Sequence, residues 1–210
     1  MAENLRLERV VLGAKDLAAT ASRLETSMGL RTLEQWWFAS GLSSRFAYAG
    51  GAAIEVLSQA FPGAEMVHPL VAQIHGRTIV HDCWLTWVVV SDDIDATASR
   101  LGLDVMEAQA TASTGQTIAW RMVGAEEAFF SEPYLPYVIS YTEGADWRSR
   151  ALVAEPKFDV SRIELSGNAN RLDEWLGGAD LSVRITDGSP HVRTVVVSTA
   201  DGEIDLAPPV

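Results

Sequence analysis

One nine-residue segment occurs twice in the chain, and this repetition constrains the fold more than any other feature. Asp16 to Leu24 reads DLAATASRL and Asp93 to Leu101 reads DIDATASRL, so most positions are identical. Each copy follows an apolar run rich in β-branched residues and then shows apolar residues at helical spacing. The pattern predicts two copies of a unit that begins with a strand, a tight turn and a helix. The aspartate that opens each copy is expected to cap its helix.

Three strands are predicted to follow each of these helices. In the first unit they cover residues 30–38, 44–49 and 52–57, with a hairpin turn at Gly50-Gly51. In the second unit a strand at 84–90 precedes the helix, and strands at 103–110, 117–123 and 137–141 follow it. Both units therefore have the order β-α-β-β-β. Each is too small to bury its own sheet face, so the two are expected to pair.

A third unit with the same order is predicted after a polar linker at 142–158. Its strand at 162–165 is followed by a helix at 168–176 and by strands at 181–185, 192–198 and 203–206. Units of this type pair, which leaves the third one without a partner. It is expected either to cap an end of the cleft between the first two or to pair with its counterpart in another chain. The second alternative favours a homodimer.

Composition excludes several classes of partner. The chain has 210 residues, a formal charge of −12 and a pI near 4.7, which argues against binding to the phosphate backbone of nucleic acid. The N-terminal segment lacks the apolar core of a signal peptide, and no apolar run reaches membrane-spanning length. A single cysteine, Cys83, precludes an intramolecular disulfide. The sequence predicts a cytoplasmic protein without a membrane partner.

Four segments resemble the vicinal oxygen chelate superfamily, which includes glyoxalase I, extradiol dioxygenases and bleomycin-resistance proteins. They are LERVVL, AIEVL, TWVVVSDDIDATASRL and LPYVISY, and they are most similar to the glyoxalase-like domain branch. The resemblance implies an α+β fold in which curved mixed sheets of tandem β-α-β-β-β modules form a cleft. It places paired modules in residues 1–145 (about 5–58 and 83–142), and a linker with the third unit in 146–210. It is specific for fold and says little about chemistry.

The resemblance also implies where metal ligands would lie, and this chain departs from that pattern. The family takes its ligands from the first and last strands of each module, typically His and Glu. Glu55 in AIEVL matches, but Arg9 and Thr86 stand where the family has His, and residues 138–140 offer no Glu. A guanidinium keeps its proton and does not ligate a divalent cation. The sequence therefore predicts that the cleft has no divalent metal and needs no other cofactor.

Arg9 and Glu55 are expected to face the cleft from neighbouring strands and to form a charge-assisted, bidentate pair there. Strand alternation supports this, because it turns Arg9 and Val11 to the cleft and Val10 to the helix side. Two interpretations remain open. The pair could act on a ligand, with Arg9 binding a carbonyl or carboxylate and Glu55 orienting it or acting as a base. Alternatively, it could be a structural ion pair in a vestigial site.

The chain is rich in aromatic residues that fall on the strands expected to wall the cleft. Trp84 shares strand parity with Thr86 and is assigned to the cleft face, whereas Trp87 is assigned to the core. Aromatic walls with few polar groups suit a flat organic molecule. The candidate ligand-binding residues are Arg9, Glu55, Trp84, Thr86, Trp37, Tyr48, Trp120 and Tyr137, and the candidate catalytic residues are Glu55 and Arg9.

The histidines offer one alternative metal site. His75 and His81 could join Glu55 in a set of two histidines and one carboxylate, but their spacing does not place them on one face. His68 precedes Pro69 and is interpreted as a helix start. The favoured function is binding of a small apolar or aromatic molecule in a metal-free cleft, of the resistance or sequestration type. The alternative is a lyase, isomerase or dioxygenase, either metal-free through Glu55 and Arg9 or metal-dependent.

Overall fold

The computed structural model describes residues 4–28, 30, 32, 35–143 and 158–206. The first module comprises β1 (Leu5–Gly13), α1 (Leu17–Met28), β2 (Trp36–Phe38), β3 (Leu42–Ala49) and β4 (Ala52–Gln59). A short 3₁₀ turn (Ala64–Met66) and α2 (Pro69–Thr78) connect it to the second module. The second comprises β5 (Cys83–Ser91), α3 (Ile94–Leu101), β6 (Met106–Ala112), β7 (Thr117–Val123), a π-helical turn (Glu127–Ser131) and β8 (Tyr137–Glu143). Both modules have the predicted element order.

The repeated aspartates cap their helices as expected. Asp16 Oδ1 accepts a hydrogen bond from the Ala19 amide at 3.0 Å, and Asp93 Oδ1 accepts one from the Ala96 amide at 3.0 Å. These bonds satisfy N–H groups that have no partner within the first helical turn. No helix in the described ranges is long and apolar enough to cross a membrane.

The two curved sheets join at both edges into a closed eight-stranded barrel with the order β1-β4-β3-β2-β6-β7-β8-β5. In each module the first strand pairs in parallel with the fourth, as β1 does with β4 and β5 with β8. The modules meet where β1 pairs with β5 and β2 pairs with β6, both antiparallel. The predicted cleft is therefore the barrel interior.

Strand alternation divides the apolar residues between the two faces of the barrel wall. The inner face carries Val11, Phe46, Leu57, Val88 and Ile139 among others. The outer face carries Val10, Leu12, Ile54, Val56 and Val89, which belong to a separate buried cluster that includes the third unit. Val10 and Val11 lie on the predicted sides.

A bulge in β5 reverses one of the sequence assignments. Val11 is paired with Thr86 and the next residue, Leu12, with Trp84, so Leu85 is the extra residue. The bulge turns Trp84 to the outer face, where its indole Nε1 donates to the Leu206 carbonyl at 3.1 Å. The assignment of Trp84 to the cleft is wrong for this reason. Trp87 is fully buried on the outer face, as predicted.

The third unit contains β9 (Asp159–Ser166), α4 (Ala169–Leu176), β10 (Val183–Thr186), β11 (His191–Thr199) and β12 (Gly202–Leu206). Its element order is confirmed, but its strands pair differently, in the order β10-β9-β11-β12. Its first strand, β9, lies between β10 and β11. In each barrel module, by contrast, the first strand pairs with the fourth. Helix α4 connects β9 to β10 as a crossover between adjacent parallel strands.

This third sheet packs on the outside of the barrel. Trp175 of α4 is buried and donates from Nε1 to the Pro136 carbonyl at 2.8 Å. Arg100 at the end of α3 donates to the Glu174 and Trp175 carbonyls at 2.7 and 2.9 Å. These bonds satisfy carbonyls at the C-terminal end of α4 with a cationic side chain. Helix α4 of the third unit is thus bonded both to the loop before β8 and to helix α3 of the second module.

Candidate functional site

A cavity of about 660 Å³ opens into the barrel between the two modules. Its wall is mostly apolar, with charged and polar side chains at several points. The lining residues are Phe38, Ala39, Ser40, Leu42, Glu55, Leu57, His68, Leu70, Glu107, Ala108, Gln109, Ala119, Trp120, Arg121, Met122, Ala125, Phe129, Tyr137 and Thr142. No described residue of the third unit is among them, so the expectation that this unit caps the cleft is wrong.

The predicted Arg9–Glu55 pair is present in the barrel interior. Arg9 Nε donates to Glu55 Oε2 at 2.7 Å, and the two residues are 4% and 2% exposed. This is a single contact and not the bidentate pair expected, because the other guanidinium nitrogens face phenols. Nη2 donates to the Tyr137 hydroxyl at 3.0 Å and Nη1 to the Tyr141 hydroxyl at 3.4 Å. One arginine of the first module therefore binds two tyrosines of the second.

A second buried carboxylate, Glu8, completes the cluster and was missed from the sequence. Its Oε1 accepts a hydrogen bond from the Tyr141 hydroxyl at 2.8 Å and lies 4.0 Å from Arg9 Nη1. Between Leu7 and Arg9 the pairing of β1 with β5 shifts register, so Glu8 is the bulged residue. Strand alternation alone gives no signal for this position. The cluster thus contains two carboxylates and one guanidinium.

The protonation states follow from burial and from the partners. Burial by itself lowers the pKa of the Arg9 guanidinium, but the surrounding Tyr137, Glu55, Tyr141 and Glu8 outweigh it and hold the pKa above its ordinary value. Burial raises the pKa of the Tyr137 phenol to about 12, although the nearby Arg9 acts in the opposite direction. Arg9 is therefore a permanent cation, and Tyr137 is a neutral phenol at physiological pH.

Three polar groups at the inner end of the cavity have unused hydrogen-bonding capacity. Trp120 Nε1 is buried and has no acceptor in the described part of the chain. The Tyr137 hydroxyl accepts a hydrogen bond from Arg9 but donates none to a described residue. Glu55 Oε1 accepts no hydrogen bond from any described residue. All three residues line the cavity. Buried polar groups are nearly always paired, so this end of the cavity is suited to a polar group of a ligand.

The other sequence candidates lie elsewhere. Thr86 is fully buried and donates to the Leu135 carbonyl at 3.3 Å, so its hydroxyl has a backbone partner. Trp37 is 41% exposed and does not line the cavity. Tyr48 is half-buried against the inner apolar cluster, without lining the cavity.

Two aromatic residues of the wall were not selected from the sequence. Phe38 lies edge-on to Trp120, with ring centroids 6.1 Å apart, and Phe129 packs on Tyr137 at 5.5 Å. Phe129 belongs to the π-helical turn in the long loop before β8. A π-helical turn was not predictable from the sequence, although such turns are frequent at functional sites.

The histidines do not form the alternative metal site. His68 lines the cavity and also begins α2, where its Nδ1 accepts from the Leu70 amide at 3.2 Å. The helix-start interpretation is confirmed, whereas His75 and His81 are not lining residues. In the described ranges, no group of three or more His, Cys, Asp or Glu side chains could bind a metal ion together.

Comparison with known sequences identifies the family. The sequence model of the glyoxalase-like domain matches residues 8–180, from the buried cluster through α4. The chain belongs to the glyoxalase-like domain family. It is thereby a member of the vicinal oxygen chelate superfamily, as the resemblance implied. No curated protein sequence matches it.

Solved structures agree on the fold. A hypothetical protein from Staphylococcus aureus superposes with a TM-score of 0.71 and 12% identity, covering 94% of this chain and 92% of that one. A mutant of 4-hydroxymandelate synthase from Streptomyces coelicolor superposes with a TM-score of 0.51 and 14% identity. The match covers 98% of this glyoxalase-like chain and 63% of the synthase. Methylmalonyl-CoA epimerase from Mycobacterium tuberculosis superposes with a TM-score of 0.46 and 11% identity. The match covers 64% of this chain and 85% of the epimerase. At these identities the likeness to the first two structures concerns the fold alone.

Proposed function

We propose that this glyoxalase-like protein binds a small, largely apolar molecule in the barrel cavity and holds one neutral polar group of it at the inner end. The observation that carries the proposal is the hydrogen-bonding capacity left open on three cavity-lining residues, of which the Trp120 indole N–H is a buried group without a described partner. Trp120 Nε1 and the Tyr137 hydroxyl need acceptors, and Glu55 Oε1 needs a donor. A cavity of about 660 Å³ with aromatic walls accommodates a drug-sized ligand.

The charge of the cluster favours an uncharged ligand. Glu8 and Glu55 are both buried against the single cation Arg9, so an anion at the inner end would add to an existing excess of negative charge. An isolated buried charge costs several kcal/mol unless it is paired. A carbonyl next to an N–H or O–H group offers both an acceptor and a donor to these atoms without bringing a charge.

The residues at the family's metal positions do not fit a divalent cation. Glu55 already accepts from Arg9 Nε at 2.7 Å, and the guanidinium would repel a metal ion at this place. The neighbouring oxygen donor is Tyr137, whose pKa of about 12 keeps it a neutral phenol. This place offers a divalent metal only the Glu55 carboxylate and holds the Arg9 cation beside it. It therefore lacks the set of ligand atoms that such metals require. We therefore propose that the cavity functions without a metal.

Ligand screening with matched tryptophan variants tests the binding proposal. Neutral aromatic carbonyl and phenolic compounds would be screened by tryptophan fluorescence and confirmed by calorimetry. Trp120→Phe removes the unpaired N–H group of a cavity-lining residue and should weaken the binding of a confirmed ligand about tenfold, the value of one hydrogen bond to a buried group. Trp37→Phe, on an exposed residue outside the cavity, should leave the affinity unchanged. Equal affinities of wild type and Trp120→Phe would contradict the proposal.

Metal content can be measured independently of any ligand. Protein prepared without chelators should contain no stoichiometric metal by elemental mass spectrometry. It should also show no thermal stabilisation with Mn, Fe, Co, Ni or Zn. A stoichiometric metal would overturn the metal-free assignment and would favour the metal-dependent enzymes of the superfamily.

A second candidate function is proton transfer, as in a metal-free isomerase or lyase. It is favoured by the open Glu55 Oε1 beside the neutral Tyr137 phenol. Glu55 would accept a proton from the bound molecule, and Tyr137 would donate a hydrogen bond to the oxygen on which negative charge develops. Arg9 would orient Glu55. Deuterium exchange into a bound ligand, followed by NMR, tests this. Exchange that is lost in Glu55→Gln while binding persists would support catalysis, and no exchange in wild type would leave binding as the function.

A further inference from the structure

A second pocket of about 300 Å³ lies on the outer face of β3 and β4, beside the start of α1 and the loop after β4. Two serines that are paired across these strands, Ser43 and Ser58, form part of its wall. Their neighbours Leu42 and Leu57 line the barrel cavity on the opposite face. The outer pocket is therefore separated from the candidate site by the sheet itself.

Several polar side chains in this outer pocket lack partners. Arg45 Nε and Gln59 Oε1 are buried without a hydrogen-bond partner in the described part of the chain. Ser43 and Ser58 are only 1% and 4% exposed, and neither hydroxyl has a hydrogen bond to a described residue. Unsatisfied buried polar groups are rare and costly, and two such atoms beside two serine hydroxyls without described partners favour a polar occupant of this pocket.

The charge of the outer pocket is positive. No carboxylate in the described ranges lies within ion-pair distance of Arg45, and the pocket also contains the exposed Lys15. Asp16 is the one acidic residue in its wall, and its Oδ1 accepts a hydrogen bond from the Ala19 amide as the cap of α1. The wall therefore contains two cations, Lys15 and Arg45, and one carboxylate that already accepts a hydrogen bond, although the whole chain has a formal charge of −12. The occupant is thus expected to be an anion.

We propose that the outer pocket binds a phosphate-type oxyanion, either as the free ion or as the terminal group of a small phosphorylated molecule. Arg45 supplies a planar donor group, which is suited to phosphate oxygens. The hydroxyls of Ser43 and Ser58 donate from the sheet, and Lys15 adds charge at the rim. Gln59 Oε1 accepts from the protonated oxygen of a hydrogen phosphate. The adjacent N-terminal end of α1 adds a favourable dipole.

Calorimetric titration of the full chain with inorganic phosphate and with glycerol phosphate, at constant ionic strength, tests the proposal. Wild type should bind at least one of the two with saturation at one site per chain. Arg45→Gln should weaken that binding about tenfold or more, as expected for a hydrogen bond to a charged group. The matched control is Arg193→Gln, an exposed arginine of the third unit, which should bind like wild type.

The two probes distinguish the sources of the oxyanion. Tighter binding of glycerol phosphate would identify a phosphorylated small molecule, whereas equal or tighter binding of inorganic phosphate would identify the free ion. Lys15→Gln alters an exposed side chain and should weaken binding in the same direction if Arg45→Gln does not fold. Absence of saturable binding of both probes would overturn the proposal and leave water as the occupant. Unchanged affinity in both Arg45→Gln and Lys15→Gln would also overturn it.

Discussion

The two modules have the same fold and a repeated helix, yet they contribute different chemistry to the barrel interior. The first module supplies the charges of the buried cluster, namely Arg9, Glu8 and Glu55. The second supplies neutral groups that bind them or face the cavity, namely Tyr137 and Tyr141 with the Trp120 indole. A repeated fold thus produces an asymmetric site, because the strands outside the repeated helix differ in sequence. The difference shows that neither module carries the site alone.

Removal of the first module's cation should have the largest effect. Arg9→Met leaves Glu8 and Glu55 buried without their shared partner and should lower the free energy of unfolding by about 3–5 kcal/mol. Urea denaturation measures this. The control in the second module is Arg121→Met, whose bridge to Asp95 is screened by solvent and should contribute far less to the free energy of unfolding. Similar losses in the two variants would contradict the central position of Arg9.

The second module should control the stability at high pH. The pKa of Tyr137 is about 12 in the folded chain, against an ordinary value of 10, so the folded state holds this proton more tightly. Its contribution is fully present below pH 10 and is lost as the pH rises through 12. This pKa difference contributes on the order of 3 kcal/mol to the free energy of unfolding below pH 10. Urea denaturation across this range should show the fall, and Tyr137→Phe should reduce it. An equally steep fall in Tyr137→Phe would show that another group is responsible.

A glycine in each module tests how tightly the module is held against the third unit. Gly124 has a φ of +76°, and a Cβ there would overlap the buried Trp175 ring. Gly50 has a φ of +62°, but a Cβ there would meet the carboxylate of the exposed Asp159, which can move. Gly124→Ala should cost about 3 kcal/mol and Gly50→Ala about 1 kcal/mol, from strain and overpacking. Urea denaturation of both variants tests the order, and the reverse order would contradict the tighter packing of the second module.

Where the sequence repeats, the modules should behave alike. Asp16→Ala and Asp93→Ala each remove one side-chain bond to a first-turn amide, with the same length of 3.0 Å. Each should therefore lower the free energy of unfolding by about 1 kcal/mol. Thermal denaturation of the two variants compares them directly. A clearly larger loss for one of them would mean that its aspartate does more than cap the helix.

Much of the fold and part of the site could be predicted because they depend on local pattern. The repeat, the helix caps, the outward side of Val10 and Trp87, and the Arg9–Glu55 pair all follow from residue type, alternation and the family resemblance. The ligand, any reaction, the domain boundary at 145 and the homodimer remain predictions. Two parts of the fold could not be predicted at all, and both concern how strands are paired.

The sequence by itself determined the element order, the capped helices and the alternation of residue types along regular strands. Only the tertiary structure decided the register. Bulges in β1 and β5 bury Glu8 in the cluster and turn Trp84 outward, because one extra residue reverses the side to which the following residues point. Likewise, the third unit repeats the order of the modules but pairs its strands differently. Strand pairing depends on contacts between residues distant in sequence, which a local pattern does not encode.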